Sequence, residues 1–189
     1  MSANGMIKRE SFAGLTMNKR QITRERILNA AWALFAENGY EETTTRQIAR
    51  HANVADGTVF SHFPTKLEML REGMLSQLAQ LSKQTLEESV HSDLALGKHL
   101  ISTYYHFYFN NVDLSRALLK EVIWDLDYYQ DFNQQLFESV DLPSDLIPKI
   151  PLLMDCYFMT LIHHLSKPLP CVDEALQELE EKLQLILNK

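Results

Sequence analysis

The sequence predicts an all-α chain, with a three-helix helix-turn-helix domain at the N-terminus joined by a long helix to a larger helical body. Three observations carry this. Apolar residues recur at helical spacing from about residue 22 to 187, capping boxes and terminal glycine or proline punctuate them, and no strand-like alternation interrupts them. The 189 residues are 46% hydrophobic and 23% charged with only 6 Gly and 6 Pro, the composition of a folded rather than loop-rich chain.

The first helix spans about Ile22 to Asn38, since Ile27, Ala31, Leu34 and Phe35 share one face, and Gly39 ends it. Thr44 with Gln47 forms a capping box opening a second, short helix whose inward residues are Ile48 and Ala49. Asn53 tolerates a tight left-handed turn. A third helix runs from about Asp56 to His62, with Val59 and Phe63 inward and Pro64 as its stop. Thr65 and Glu68 form the next capping box, which opens a long helix carrying Leu67, Leu70, Met74, Leu75, Leu78 and Leu81. Beyond residue 90 the helical segments are Leu94 to Phe109, Leu114 to Val140 with a break near Asp125, Ile147 to Leu165, and Val172 to Leu187. The domain reading is a basic arm over 1–20, a helix-turn-helix domain over 21–66, and a ligand-binding and dimerisation domain over 67–189.

Charge divides the chain. Up to residue 75 ten basic residues face eight acidic ones; beyond it eight face seventeen, giving the net charge of -7. A weakly basic head on an acidic body suits polyanion binding by one end, and a solvated basic tail accounts for it equally well. The two cysteines, Cys156 and Cys171, have no metal-ligand spacing. The first ten residues carry charges and no apolar segment, and no later run approaches a membrane span, so a cytoplasmic location is expected. No nucleophile elbow, phosphate-binding loop or zinc-protease motif is present, so no enzyme activity is expected.

Residues 26–70, within the stretch RERILNAAWALFAENGYEETTTRQIARHANVADGTVFSHFPTKLEML, resemble the DNA-binding domain of the TetR family of repressors. Ile27, Leu28, Ala30, Ala31, Leu34, Phe35 and Gly39 match its first helix, Thr44, Thr45, Ile48 and Ala49 its second. Gly57, Thr58, Phe60, His62, Phe63, Lys66 and Leu70 match its last and most distinctive segment. The resemblance implies a homodimeric regulator of operator DNA, most simply a repressor released by a small lipophilic or aromatic molecule. A repressor-like protein without such an inducer is the alternative. It also implies DNA contacts from Thr44, Thr45, Arg46, Asp56, Gly57, Thr58, Phe60, Ser61, His62 and Lys66. Gly57 and Thr58 allow close approach to base edges, and the threonines, His62 and Lys66 face phosphate. Phe60 stands where the family has Tyr, which removes a phenolic phosphate contact. Asp56 either accepts from a cytosine amino group or complements the helix dipole.

In the body, TYYHFYFNN (Thr103 to Asn111) and Trp124, Asp125, Tyr128 and Tyr129 supply aromatics with polar handles, the residue types that line small-molecule sites and equally those of a plain core. Tyr104, Tyr108, Trp124 and Tyr128 are the ligand-binding candidates. His163 and His164 point about 100° apart on a helix, so no metal site is expected, and no cofactor. The seam Val172, Leu176, Leu179, Leu183 and Ile186 fits either the chain's own core or a dimer interface. The resemblance assigns dimerisation to the last two helices, about 150–165 and 172–187.

Overall fold

A computed structural model describes residues 18–88, 93–125 and 144–187, and the described residues contain helices and no strand. The helices are α1 (Lys19–Asn38), α2 (Thr45–His51), α3 (Asp56–His62), α4 (Lys66–Glu88), α5 (Asp93–Asn110), α6 (Val112–Val122), α7 (Ile150–Ser166) and α8 (Val172–Leu187), with a 3-10 turn at Ile147–Lys149 before α7. The arm before Asn18, the second half of the segment expected to reach Val140, and Tyr128 with Tyr129 lie outside the described residues.

Local chemistry sets the head. Helix α1 starts earlier than its apolar pattern suggests because Asn18 and Gln21 cap each other, each backbone N–H meeting the other's side-chain oxygen at 2.9 Å. It stops at Gly39, whose φ of 84° takes the chain out of the helix while its N–H still bonds to the Phe35 carbonyl. Thr43, fully buried, then donates to the Gly39 carbonyl at 2.7 Å and fixes the approach to α2. Thr44 and Gln47 form the expected capping box, and Asn53 sits at φ 51° in the turn between α2 and α3. Ile27, Ala31, Phe35, Ile48, Ala49, Val59 and Phe63 close over one another as the core of these three helices.

Helix α4 belongs to both parts of the molecule. It packs on α1 at its start and on α5 and α6 further along, so Met69, Leu70 and Met74 join the head's core to that of the body. In the body, α5 packs on α6 and α8, α6 on α7, and α7 on α8. The apolar spacing of α8 proves to be an internal seam. Leu179 is 1% exposed and Ala175 fully buried, with Val172, Leu176 and Leu183 packed beside them, so the Leu179 side chain is core and does not face a second subunit. The outward surfaces of α7 and α8 instead leave Leu152, Met159 and Leu185 exposed. Among the described residues no helix is long and apolar enough to cross a membrane.

Candidate nucleic-acid interface and regulatory core

Helix α3 lies on the head by Val59 and the following Phe63, and turns Asp56, Gly57, Phe60 and Ser61 outward, with Thr58 and His62 half-buried at the margins. Its frame is stiff. Arg24 reaches from α1 to pair with Glu72 of α4, donates to the His62 carbonyl, and lies 3.9 Å over the Phe63 ring. One guanidinium therefore ties α1, α3 and α4 together. Arg46 of α2 pairs with Asp56 at 3.3 Å across the helix-turn-helix, which answers the Asp56 carboxylate within the head.

The remaining expected DNA-facing residues divide by what already engages them. Thr44 is exposed and Thr45 half-buried at the start of α2, and the Thr44 hydroxyl is in the capping box at 2.7 Å from Gln47. The Ser61 hydroxyl turns back to the Thr58 carbonyl at 2.8 Å. Lys66, expected to reach a phosphate, is placed otherwise. Its ammonium donates to the carbonyls of Tyr40 (2.6 Å), Thr43 (3.1 Å) and Glu41 (3.3 Å) and stands 4.2 Å over the Tyr40 ring. All three of its protons are used, so its side chain closes the loop between α1 and α2 onto α4. Its position one residue after the α4 cap Thr65, which accepts from the Glu68 N–H at 3.1 Å, gave no hint of this.

Arg20, not singled out by its sequence pattern, lies close enough to His62 to act on it. Desolvation, then the charges of Arg20 and Arg24, push the His62 imidazole below its usual range. Arg20 is exposed, so α1 presents a cation, with the His62 imidazole near it, beside the outward face of α3. The signal was hidden because Arg20 and His62 meet only through the packing of α1 on the rest of the head.

In the body, Tyr104 and Tyr108 are buried, with Tyr105 and Tyr157 beside them. The Tyr104 hydroxyl is hydrogen-bonded to Ser82 of α4, Tyr105 donates to the Tyr157 carbonyl at 2.7 Å, and the Tyr105 and Tyr157 rings meet edge-on at 5.2 Å. Burial raises the phenols of Tyr104, Tyr105 and Tyr157 above the ordinary tyrosine value. Trp124 departs from expectation. It stands past the end of α6 with its ring 87% exposed, because the buried face of α6 is already made by Leu114, Leu118 and Val122. A groove of about 310 Å³ runs between α5 and α8, with Ile101, Leu176 and Leu183 in its lining and the Lys98–Glu180 ion pair at 2.9 Å along it; Tyr104, Tyr108 and Trp124 are not in its lining.

His163 and His164 do converge on one carboxylate, Glu178 of α8, at 3.6 and 2.7 Å. Lys167 lies 3.1 Å from His164 Nδ1 and donates to it, so the imidazole carries its proton on Nε2, where it donates to Glu178, whose other oxygen takes Lys182 at 2.6 Å. With the ammonium groups of Lys167 and Lys182 beside it, Glu178 gathers His163, His164 and Lys182 into a polar cluster that joins α7 to α8. Lys182 and His164 hold the Glu178 carboxyl down to about 2.

Comparison with known proteins agrees with this geometry. Residues 27–72 match the family model described as bacterial regulatory proteins, tetR family. The HTH-type transcriptional regulator YvkB of Bacillus subtilis (strain 168) is 42% identical over 67 residues, 35% of either chain, so the match spans about a third of that relative's length. The crystal structure of Thermus thermophilus FadR, a TetR-family transcriptional repressor in complex with lauroyl-CoA, superposes over 87% of this chain and 93% of its own with a TM-score of 0.68 and 25% identity. A TetR transcriptional regulator from Rhodococcus sp. RHA1 has the same fold over 91% and 99%, with a TM-score of 0.69 and 19% identity.

Proposed function

We propose, on the match of residues 27–72 to the family model of bacterial regulatory proteins of the tetR family, that this chain represses transcription as a homodimer on a palindromic operator and leaves it when a small lipophilic or aromatic molecule binds the body. The observation that carries the reading is the outward face of α3, held by Arg24 and Arg46 on a rigid head and bordered by the Arg20 and His62 edge. Such a helix enters the major groove with its early residues while flanking groups grip phosphate. Asp56, Gly57, Thr58, Phe60 and Ser61 are then the groove-facing residues, and Thr44, Thr45, Arg46, Arg20 and His62 the phosphate-facing ones; residues 21–66 act as the DNA-binding domain and 67–189 as the ligand-binding and dimerisation domain.

Two heads are needed because successive major grooves on one side of DNA lie about 34 Å apart. The exposed Leu152 and Met159 of α7, seven residues apart on one helical face, and Leu185 of α8 supply apolar surface for a two-fold contact. For the effector site, Tyr104 and Tyr108 are buried aromatics of α5, and a ligand between α5 and α4 would compete for the Tyr104–Ser82 hydrogen bond. The bound lauroyl-CoA of the Thermus thermophilus relative makes acyl-CoA thioesters the first compounds to try.

A gel-shift series with DNA flanking the chain's own gene tests the reading. The expected result is a sequence-specific complex dissolved by at least one lipophilic compound. Specific binding that no compound relieves favours a repressor without inducer, and no preference over random DNA overturns the proposal.

A further inference from the structure

We infer that Phe60 reads a thymine in the operator by packing its ring on the C5-methyl group. The inference rests on the operator-binding reading and assigns one residue of that surface its target. Phe60 is 52% exposed, and among the described residues of the head only Ile22 is another large apolar side chain so exposed. Nothing in the fold explains either it or its neighbour Gly57. A Cβ built on Gly57 meets no atom within 4 Å, and its backbone is not among the left-handed positions, so neither space nor φ demands glycine there. Gly57 and Phe60 are three residues apart, hence neighbours on the same outward face. A backbone left bare beside a protruding apolar ring is the relief of a surface made to fit against something outside the chain.

The chemistry of the face narrows what that is. A phenyl ring has no donor or acceptor, so it gains nothing from a phosphate or from the nitrogen and oxygen edges of bases. One turn earlier on the same face, the Asp56 carboxylate is paired with Arg46 and offers acceptors only. Ser61 turns its hydroxyl inward to the Thr58 carbonyl and leaves the ring as the outstanding group at this end of the face. In the major groove the apolar feature that differs between base pairs is the thymine methyl.

The test uses the full-length protein and the flanking DNA fragment it binds, with each thymine in turn replaced by deoxyuridine, a change that deletes only the methyl. One thymine in each half-site should be sensitive, with affinity falling about fourfold per half-site, the factor expected for one buried carbon. In Phe60→Ala the same substitution should have no effect, while Phe60→Leu, which keeps an apolar tip, should retain part of it. Circular dichroism matching the parent is expected for both variants, since the ring packs on little. If specific DNA is bound but no deoxyuridine position weakens it, or the weakening persists in Phe60→Ala, the inference is wrong and the repressor reading stands. If the protein shows no preference for any flanking fragment, both fall.

Discussion

Gly73→Ala tests how the DNA-binding head is seated on the body. Gly73 lies on α4, and a Cβ there would come within 2.8 Å of Trp32 Cε3 and 3.3 Å of Cζ3. Carbon atoms pack at about 3.5–4.0 Å, so the indole would have to give by roughly 0.7 Å. It has little room to do so, because Trp32 stacks on Phe107 of α5 with ring centroids 6.2 Å apart and planes within 13°. In an unobstructed helix the substitution would stabilise by about 1 kcal/mol. Overpacking of this kind costs about 1–3 kcal/mol, so the clash wins and a net loss of about 1 kcal/mol is expected, lowering Tm by about 2–4 °C for a chain of this size. The sign should reverse in a Trp32→Phe background, where the benzo ring that meets the Cβ is absent and Gly73→Ala raises Tm. Scanning calorimetry or thermal circular dichroism of the four proteins gives the cycle. A Gly73→Ala protein more stable than its parent, or a cycle without the reversal, would refute the packing described for Trp32.

Four further outcomes follow from the same contacts. Lys66→Met should cost about 1–2 kcal/mol of stability by orphaning the carbonyls of Tyr40, Glu41 and Thr43, yet leave the salt dependence of DNA binding unchanged; a slope reduced by about one unit would restore a phosphate contact to it. Met159→Glu should give folded monomers by light scattering, whereas Leu179→Glu, which buries an unpaired carboxylate in the monomer's own core, should fail to fold. Because the Glu178 carboxyl is depressed, the stability it supplies is present above pH 4.5 and lost as pH falls towards about 2; Glu178→Gln should cost about 1 kcal/mol at neutral pH and flatten acid unfolding in that window. His62, whose proton affinity is lowered in the free protein, should gain it beside a phosphate, so DNA affinity should rise on acidification through the histidine range and His62→Gln should flatten that rise.

What was legible in the sequence was the chemistry that acts over a few residues. Gly39, the Thr44 and Gln47 box, Asn53 and Pro64 each signal their turn locally, so the end of α1 and the bounds of α2 and α3 could be placed, while α1 begins three residues before its apolar pattern. Lys66 and Arg24 were not legible in this way. Their partners lie 23 to 26 and 38 to 48 residues off, and a lysine near a helix start reads the same whether it meets a phosphate or three carbonyls. The seam of α8 failed for a related reason. A spacing of three and four says that one face is apolar and nothing about whose core it enters, and only the packing on α5 and α7 shows that Leu179 belongs to this chain. The aromatics of the body were ambiguous on the same ground, and Trp124 and Tyr104, alike in composition, part company once α6 has spent its inward face on Leu114, Leu118 and Val122.

Helix α4 has the means to turn a change in the body into a change in the spacing of two heads. Its first half is fixed to the head by Glu72 through Arg24, by Gly73 through Trp32, and by Lys66 through the loop before α2. On the body side Arg71 pairs with Asp125 after α6, and Ser82 bonds to Tyr104 of α5. From Lys66 to Ser82 is sixteen residues, roughly 24 Å of helix. A tilt of about 5° at the Ser82 end therefore carries the Lys66 end, with the head bolted to it, about 2 Å. In a two-fold dimer both heads move, which changes the separation of the recognition helices by up to about 4 Å against the 34 Å that successive grooves demand. A ligand produces that tilt only by binding the tilted state better, and the Tyr104–Ser82 bond is where it has something to gain: a group that takes over the buried phenol releases α4 from α5. Tyr104→Phe removes that hold without a ligand. The proposed switch therefore requires Tyr104→Phe to weaken operator binding in the absence of any compound and to shrink the further loss that an effective compound causes, and unchanged affinity with an undiminished response would leave α4 coupled to the body by some other contact.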